Sequence, residues 1–199
     1  TLREWELGAA EFEEIHEKIP GHSGALDLST VLTDGEPYYN PRPFTATLES
    51  SEGTRMDREY RIRQMINWLD GWRANIILPD DPTHYITGRI RVKKLYNDLA
   101  HASVQITATC DPWKYNSTET VVGITATEAE QTVQLINNGR CSVVPTITVE
   151  GGPVNLAFGS SSWSLSAGVY VLPDIYLKGG SHPLKYSGSG TVLLKYREA

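Results

Sequence analysis

Apolar residues fall at every second position along much of this chain, in short runs closed by Gly, Pro, Asn or Asp. Residues 44–48 alternate Phe44, Thr45, Ala46, Thr47 and Leu48, and residues 104–110 put Val104, Ile106, Ala108 and Cys110 on one side. A period of two is the mark of a half-buried strand, because successive side chains point to opposite faces. Residues 25–32 repeat it with Leu26, Leu28 and Leu32. Pro20-Gly21-His22-Ser23-Gly24 forces a turn before that run, and Asp34-Gly35 and Pro37 end it. Residues 74–78 and 84–92 read as the arms of a hairpin. Between them, Pro79-Asp80-Asp81-Pro82 is a turn, since proline fixes φ and Asp side chains close Asx-turns.

One segment breaks the period of two. Ile62, Met65, Ile66 and Leu69 stand at i, i+3, i+4 and i+7, the stripe of an amphipathic helix. Thr54 caps its start with Asp57 three residues on, and Gly71 supplies the stop. Arg55, Arg58, Arg61 and Arg63 form the opposite face, read as solvated or as a partner surface.

Beyond the polar stretch 116–119 the pattern is β throughout. Strands are expected at 133–136, 143–149, 154–158, 163–165, 169–172, 174–177, 184–186 and 192–196. Turns are expected at Asn137-Asn138-Gly139, Glu150-Gly151-Gly152-Pro153, Lys178-Gly179-Gly180 and Gly188-Ser189-Gly190. Closely spaced short strands argue for a β-sandwich. The reading is therefore a mainly β chain of two domains: 1–116, carrying the single helix, and 117–199.

Charge sharpens the division. Up to Glu119 there are 13 basic and 19 acidic residues, whereas from Thr120 onward there are 5 of each. A net charge of −6 argues against a dedicated nucleic-acid binder, which carries a basic footprint. No apolar run approaches the roughly 20 residues of a membrane span. Cys110 and Cys141 are too few for a disulfide scaffold and fit no zinc spacing, and read as buried thiols.

No constellation of catalytic groups stands out. His16 and His22 are six residues apart around a turn, too loose for a zinc pair without a third ligand. His84, His101 and His182 stand alone. Asp80 and Asp81 are adjacent in a turn, where two carboxyls do not face each other across a substrate. Ser160, Ser161 and Ser162 lack the strand–elbow–helix context of a nucleophile. Tyr38, Tyr39, Trp68, Trp72, Trp113, Trp163 and Tyr170 could line a sugar surface, but their places within strand and helix patterns favour core packing. No enzyme, metal or cofactor is expected; a binding module or an assembly protein is.

Six local strings, in order, resemble the distal tail protein family of siphophages. They are Thr1 with Trp5 and Leu7; Ile19-Pro20-Gly21-His22-Ser23-Gly24-Ala25-Leu26-Asp27-Leu28-Ser29; Tyr39-Asn40-Pro41-Arg42-Pro43-Phe44; Asn67-Trp68-Leu69-Asp70-Gly71; Asp80-Asp81 through Tyr85, Gly88 and Arg89; and Cys110-Asp111-Pro112-Trp113-Lys114-Tyr115. The resemblance implies an N-terminal barrel- or sandwich-like ring domain and a C-terminal galectin-like β-sandwich. It implies a homohexameric ring at the virion tail tip, assembled in the host cytoplasm. Its partners would be the tail tube protein, a tail-associated spike or lysin protein and a receptor-binding protein, with no sequence-specific nucleic acid and no membrane. No long insertion interrupts the second half, so the arm by which some relatives hold receptor-binding proteins is not expected. Contacts to a neighbour are expected at Pro20, Gly21, Gly24, Tyr38, Tyr39 and Arg42. The competing readings are a tail tube or other baseplate ring subunit and a carbohydrate-binding sandwich.

Overall fold

The computed structural model describes residues 1–21, 23–31, 33, 35 and 37–199. Of the sequence-based expectations, the His22 of the loose histidine pair, the Leu32 of the leucine run and the Asp34 that closes it lie outside the described residues. The chain forms two compact units, Thr1–Ile77 with Ile86–Lys114, and Leu78–Tyr85 with Tyr115–Ala199. It is mainly β with one helix, as the alternation predicts.

The first unit is built on an antiparallel sheet in the order β1 (Leu2–Leu7), β4 (Arg42–Ser50), β7 (Ala102–Cys110), β6 (Asp81–Asn97), β5 (Arg73–Leu78). Two short strands, β2 (His16–Lys18) and β3 (Ala25–Asp27), pair apart from it. Among the described residues 25–31 of the expected 25–32 strand, Ala25–Asp27 alone form a strand. Helix α1 (Arg55–Leu69) covers one face of the sheet; Ile62 is buried with Ala102 and Val104, and Met65, Ile66 and Val92 pack around them. The helix starts with a capping box: Thr54 Oγ1 accepts from the Asp57 amide at 3.2 Å, and the Asp57 carboxylate accepts from the Thr54 amide at 2.8 Å. Gly71 ends it at φ +83°.

Arg58 corrects the expectation of a solvated arginine face. It is 2% exposed, donating to the carbonyls of Gly53, Asp98 and Leu99 at 2.6, 2.9 and 3.0 Å. Arg58 lies four residues before Ile62, on the apolar side of the helix. Its guanidinium there satisfies carbonyls of the loop before α1 and of the β6–β7 turn.

The second unit holds β8 (Tyr115–Asn116), β9 (Thr120–Thr125), β10 (Gln131–Asn137), β11 (Thr146–Phe158), β12 (Ser161–Leu165), β13 (Gly168–Val171) and β14 (Gly180–Tyr196). Here the structure corrects two turn expectations. Glu150-Gly151-Gly152-Pro153 lies inside β11, and Gly188-Ser189-Gly190 lies inside β14. The two clusters face each other across the β11–β14 ladder, whose register shifts between Gly151 and Val154. A Cβ on Gly190 would lie 2.3 Å from the Gly152 carbonyl oxygen, and one on Gly188 2.3 Å from that of Pro153. Glycines thus let two long strands bend together where side chains could not fit.

On one side of the bend β11 and β14 are flanked by β13 and β9, on the other by β12 and β10. Ile147, Val149, Ile124, Val192 and Leu194 from the first half meet Val154, Leu156, Leu165, Leu184 and Leu135 from the second in one core. Residues 174–177, expected as a strand, form a turn and a single bridge between Leu177 and Val143. Ile175 and Leu177 are fully buried all the same. Asn137 is buried with them; its side-chain amide donates to Cys141 and Leu177 carbonyls at 2.8 and 2.9 Å, and its oxygen accepts from the Gly139 amide.

Candidate functional site

The residues expected to touch a neighbour form two groups, both in the first unit. Pro20, Gly21 and Gly24 sit in the connection between β2 and β3. Gly21 and Gly24 take φ of +83° and +99°, which L side chains rarely adopt, and a Cβ on either would meet nothing within 4 Å. Every residue of β2 and β3 is exposed, and Ile15, Ile19 and Leu26 are exposed with them. A two-stranded ribbon with no core of its own is marginal in water. Its base is pinned: Ile15 bonds Ser29 and Leu28, and Ser29 donates to Asp27 through both amide and hydroxyl. Those bonds hold the Asp27 carboxyl below the usual carboxylate range.

The second group is Tyr38, Tyr39 and Arg42. Tyr39 bridges Phe12 and meets Trp113 edge-on at 5.0 Å. Tyr38 bonds Glu13 through its carbonyl and leaves its side chain exposed. Arg42 opens β4 opposite Cys110, half-buried, its Nε among the buried atoms without a hydrogen-bond partner. Burial draws the Arg42 guanidinium below its ordinary pKa and pushes the Cys110 thiol up. Gly88 faces that thiol, and a Cβ there would lie 2.6 Å from Sγ.

The two faces of the first unit's main sheet differ. Phe44, Ala46, Val104, Ala108 and Ile90 point to the helix side and are buried. The opposite face is polar and graded in charge. Glu6 on β1 stands in a row with Thr45, Thr107 and Arg91, and Glu4 with Thr47, Gln105 and Lys93. Arg73 at the start of β5 is ion-paired to Asp111. Acid therefore marks the β1 side and base the β6–β5 side.

Three aromatics overturn the core-packing expectation: Tyr38 is 51%, Trp68 77% and Trp72 67% exposed. Trp68 falls two residues after Ile66 and one before Leu69, off the apolar stripe, and that spacing is the signal for its exposure. Trp163 and Tyr170 do pack against the core of the second unit.

Other candidate chemistry resolves into structure. His84 Nδ1 meets Asp81 Oδ1 at 2.8 Å, and His182 Nε2 meets the Lys178 carbonyl at 2.8 Å. Asp80 turns into β6, Asp81 already belongs to it, and Ser161 and Ser162 lie in β12. Cys110 is buried and Cys141 half-buried, with no disulfide between them. No helix among the described residues is long and apolar enough to cross a membrane.

No protein-family model matches the chain, and no curated protein matches its sequence. Among solved structures it is similar to the SPP1 Dit (gp 19.1) protein, described as a paradigm of the hub adsorption apparatus in phages that infect Gram-positive bacteria. The match has a TM-score of 0.68 at 18% identity and covers 100% of this chain and 93% of that one. The fold is Dit-like over the whole chain, both units included.

Proposed function

We propose that this chain is a structural hub at the distal end of a long-tailed phage or prophage tail, a ring joining the tail tube to the tail-tip and host-adsorption apparatus. The observation that carries the reading is the full-length likeness to a hub protein, in which neither unit is left over. A tube subunit needs no second sandwich, so this likeness favours the hub over the tube reading.

In this reading residues 1–116 form the ring, taken as a hexamer, and residues 117–199 form the galectin-like domain that faces partner proteins. The exposed β2–β3 ribbon with Pro20, Gly21 and Gly24 reaches a neighbouring subunit, which supplies the apolar cover that Ile15, Ile19 and Leu26 lack. Tyr38, Tyr39 and Arg42 flank the same contact. The tail tube protein lies on one side of the ring and a spike or lysin protein on the other, with a receptor-binding protein as a further partner. The work is done by geometry and affinity, without turnover.

Light scattering and negative-stain imaging of the full chain over a range of concentrations test the reading. A closed ring of about six subunits with a central hole is expected. A monomer at every concentration that binds saccharides on a glycan array would overturn it in favour of a carbohydrate-binding module.

A further inference from the structure

We propose that Asn138 is a site of self-modification, deamidating to aspartate or isoaspartate when the 137–141 turn opens, and that Asn137 guards it in the folded chain by holding the Gly139 amide. The proposal concerns the second unit alone and does not depend on the hub reading.

Asn138-Gly139 is the one Asn-Gly pair in the chain. Such a pair is chemically labile. The Gly139 nitrogen gives its proton to solvent base and attacks Asn138 Cγ, closing a succinimide ring, while Nδ2 leaves as ammonia. Water then opens the ring to aspartate or isoaspartate, so one water is consumed and one ammonia released. Glycine favours the attack because no side chain hinders it and its backbone turns freely.

The fold demands that glycine. A Cβ at position 139 would lie 2.2 Å from the Ala199 oxygen and 2.7 Å from the Ala199 nitrogen. Both are backbone atoms, and the crossing segment is tied down: the Ala199 oxygen accepts from the Arg140 and Cys141 amides at 2.7 and 3.2 Å. No larger residue fits beside it, so the turn carries the labile pair by construction.

Asn137 offsets the liability. Its Oδ1 accepts from the Gly139 amide at 2.9 Å, the same N–H that must lose its proton. Asn137 is buried, and its Nδ2 donates to the Cys141 and Leu177 carbonyls at 2.8 and 2.9 Å, so the guarding side chain is fixed at both ends. A backbone N–H held in this way reacts only when its bond opens. Asn138 itself is exposed, and its Nδ2 donates to both Glu198 carboxylate oxygens at 3.3 Å. Deamidation replaces that donor with a second carboxylate. Repulsion between the two then loosens residues 198–199 from the turn.

The test holds the full chain, and a peptide spanning residues 134–142, in warm neutral buffer and follows amide loss by mass spectrometry. The folded chain is expected to keep the position-138 amide at least about tenfold longer than the peptide. Asn137→Ala is expected to recover most of that difference. Val149→Ala, which thins the core and leaves the bonds of the turn in place, is expected to recover less. Hydrogen exchange at the Gly139 amide should be slow in the parent chain. Asn138→Asp should speed exchange at the Arg140 and Cys141 amides. A folded chain that loses the amide as fast as the peptide, or exchanges Gly139 as an open loop does, overturns the guard. Asn137→Ala no faster than Val149→Ala overturns it too. Earlier amide loss at another asparagine overturns the site, and unchanged exchange in Asn138→Asp overturns the loosening.

Discussion

Replacing Gly190 with alanine should damage the second unit out of proportion to one methyl group. The new Cβ would lie 2.3 Å from the Gly152 carbonyl oxygen, 2.8 Å from that of Glu150 and 3.0 Å from Val154 Cγ2. Two of these neighbours are backbone, so no rotamer change makes room. Ordinary contact begins near 3.4 Å, and β11 and β14 must part by about an ångström to reach it. Parting breaks one or two ladder bonds around the Gly151–Gly190 pair, at about 1 kcal/mol each, and strains the adjoining core of Val154 and Val192. Alanine returns about 0.5–1 kcal/mol by restricting the unfolded chain. The net loss is about 2–4 kcal/mol, a large share of the 5–15 kcal/mol that holds a typical domain. Gly123→Ala is the control: its Cβ would meet only Leu193 Cδ1 at 3.8 Å, so it should be neutral or stabilising by up to about 1 kcal/mol. Because two units need not unfold together, the readout is hydrogen exchange at the amides of β11 and β14, supported by urea titration. A Gly190→Ala protein within about 0.5 kcal/mol of the parent would refute the close-packed bend.

Arg58→Leu should cost about 2–4 kcal/mol, because three carbonyls lose a charged donor; faster exchange across residues 97–102 by mass spectrometry checks it. Thr54→Ala should cost about 1 kcal/mol in urea melts by removing one half of the capping box. Asn137→Ala should cost about 1–3 kcal/mol, since it removes the side-chain bonds to the Cys141 and Leu177 carbonyls and from the Gly139 amide within the second unit, and thermal melts read the loss. Acid should weaken the first unit: Glu49, Asp57, Glu59 and Asp98 are held below their usual values by bonds from Arg3, Thr54, Lys94 and the His101 amide respectively. Depressed carboxyls contribute stability above their unfolded pKa and lose it as pH falls through the folded one, so exchange in the first unit should accelerate below about pH 4. Tyr196 runs the other way: burial raises it, and its contribution is lost as pH climbs past about 10.

Local pattern carried much of the fold. The Ile62–Leu69 stripe and the Thr54–Asp57 spacing located the helix and its cap, because both depend on residues within one or two turns. The alternation at 44–48 and 104–110 located two strands of the main sheet for the same reason. The glycine clusters at 151–152 and 188–190 were ambiguous in kind. Glycine marks a chain reversal and a bend inside paired strands alike, and only the strand lying opposite decides between them. Ile175 and Leu177 looked like strand residues because they are apolar, yet their burial is reached from a turn.

Of the candidate contact residues, Gly21 and Gly24 were legible because positive φ has a compositional signature. The ends of the sheet were not, because strand order does not follow chain order: β1 pairs β4, and β7 comes between β4 and β6. A strand becomes an edge through what its neighbours leave open, a property of no single segment. The charge gradient shares that origin. Glu6, Thr45, Thr107 and Arg91 are scattered over most of the first unit's sequence and form one row only after three ladders have set their register. The net charge of −6 carries no trace of this row, in which acid and base stand at opposite ends.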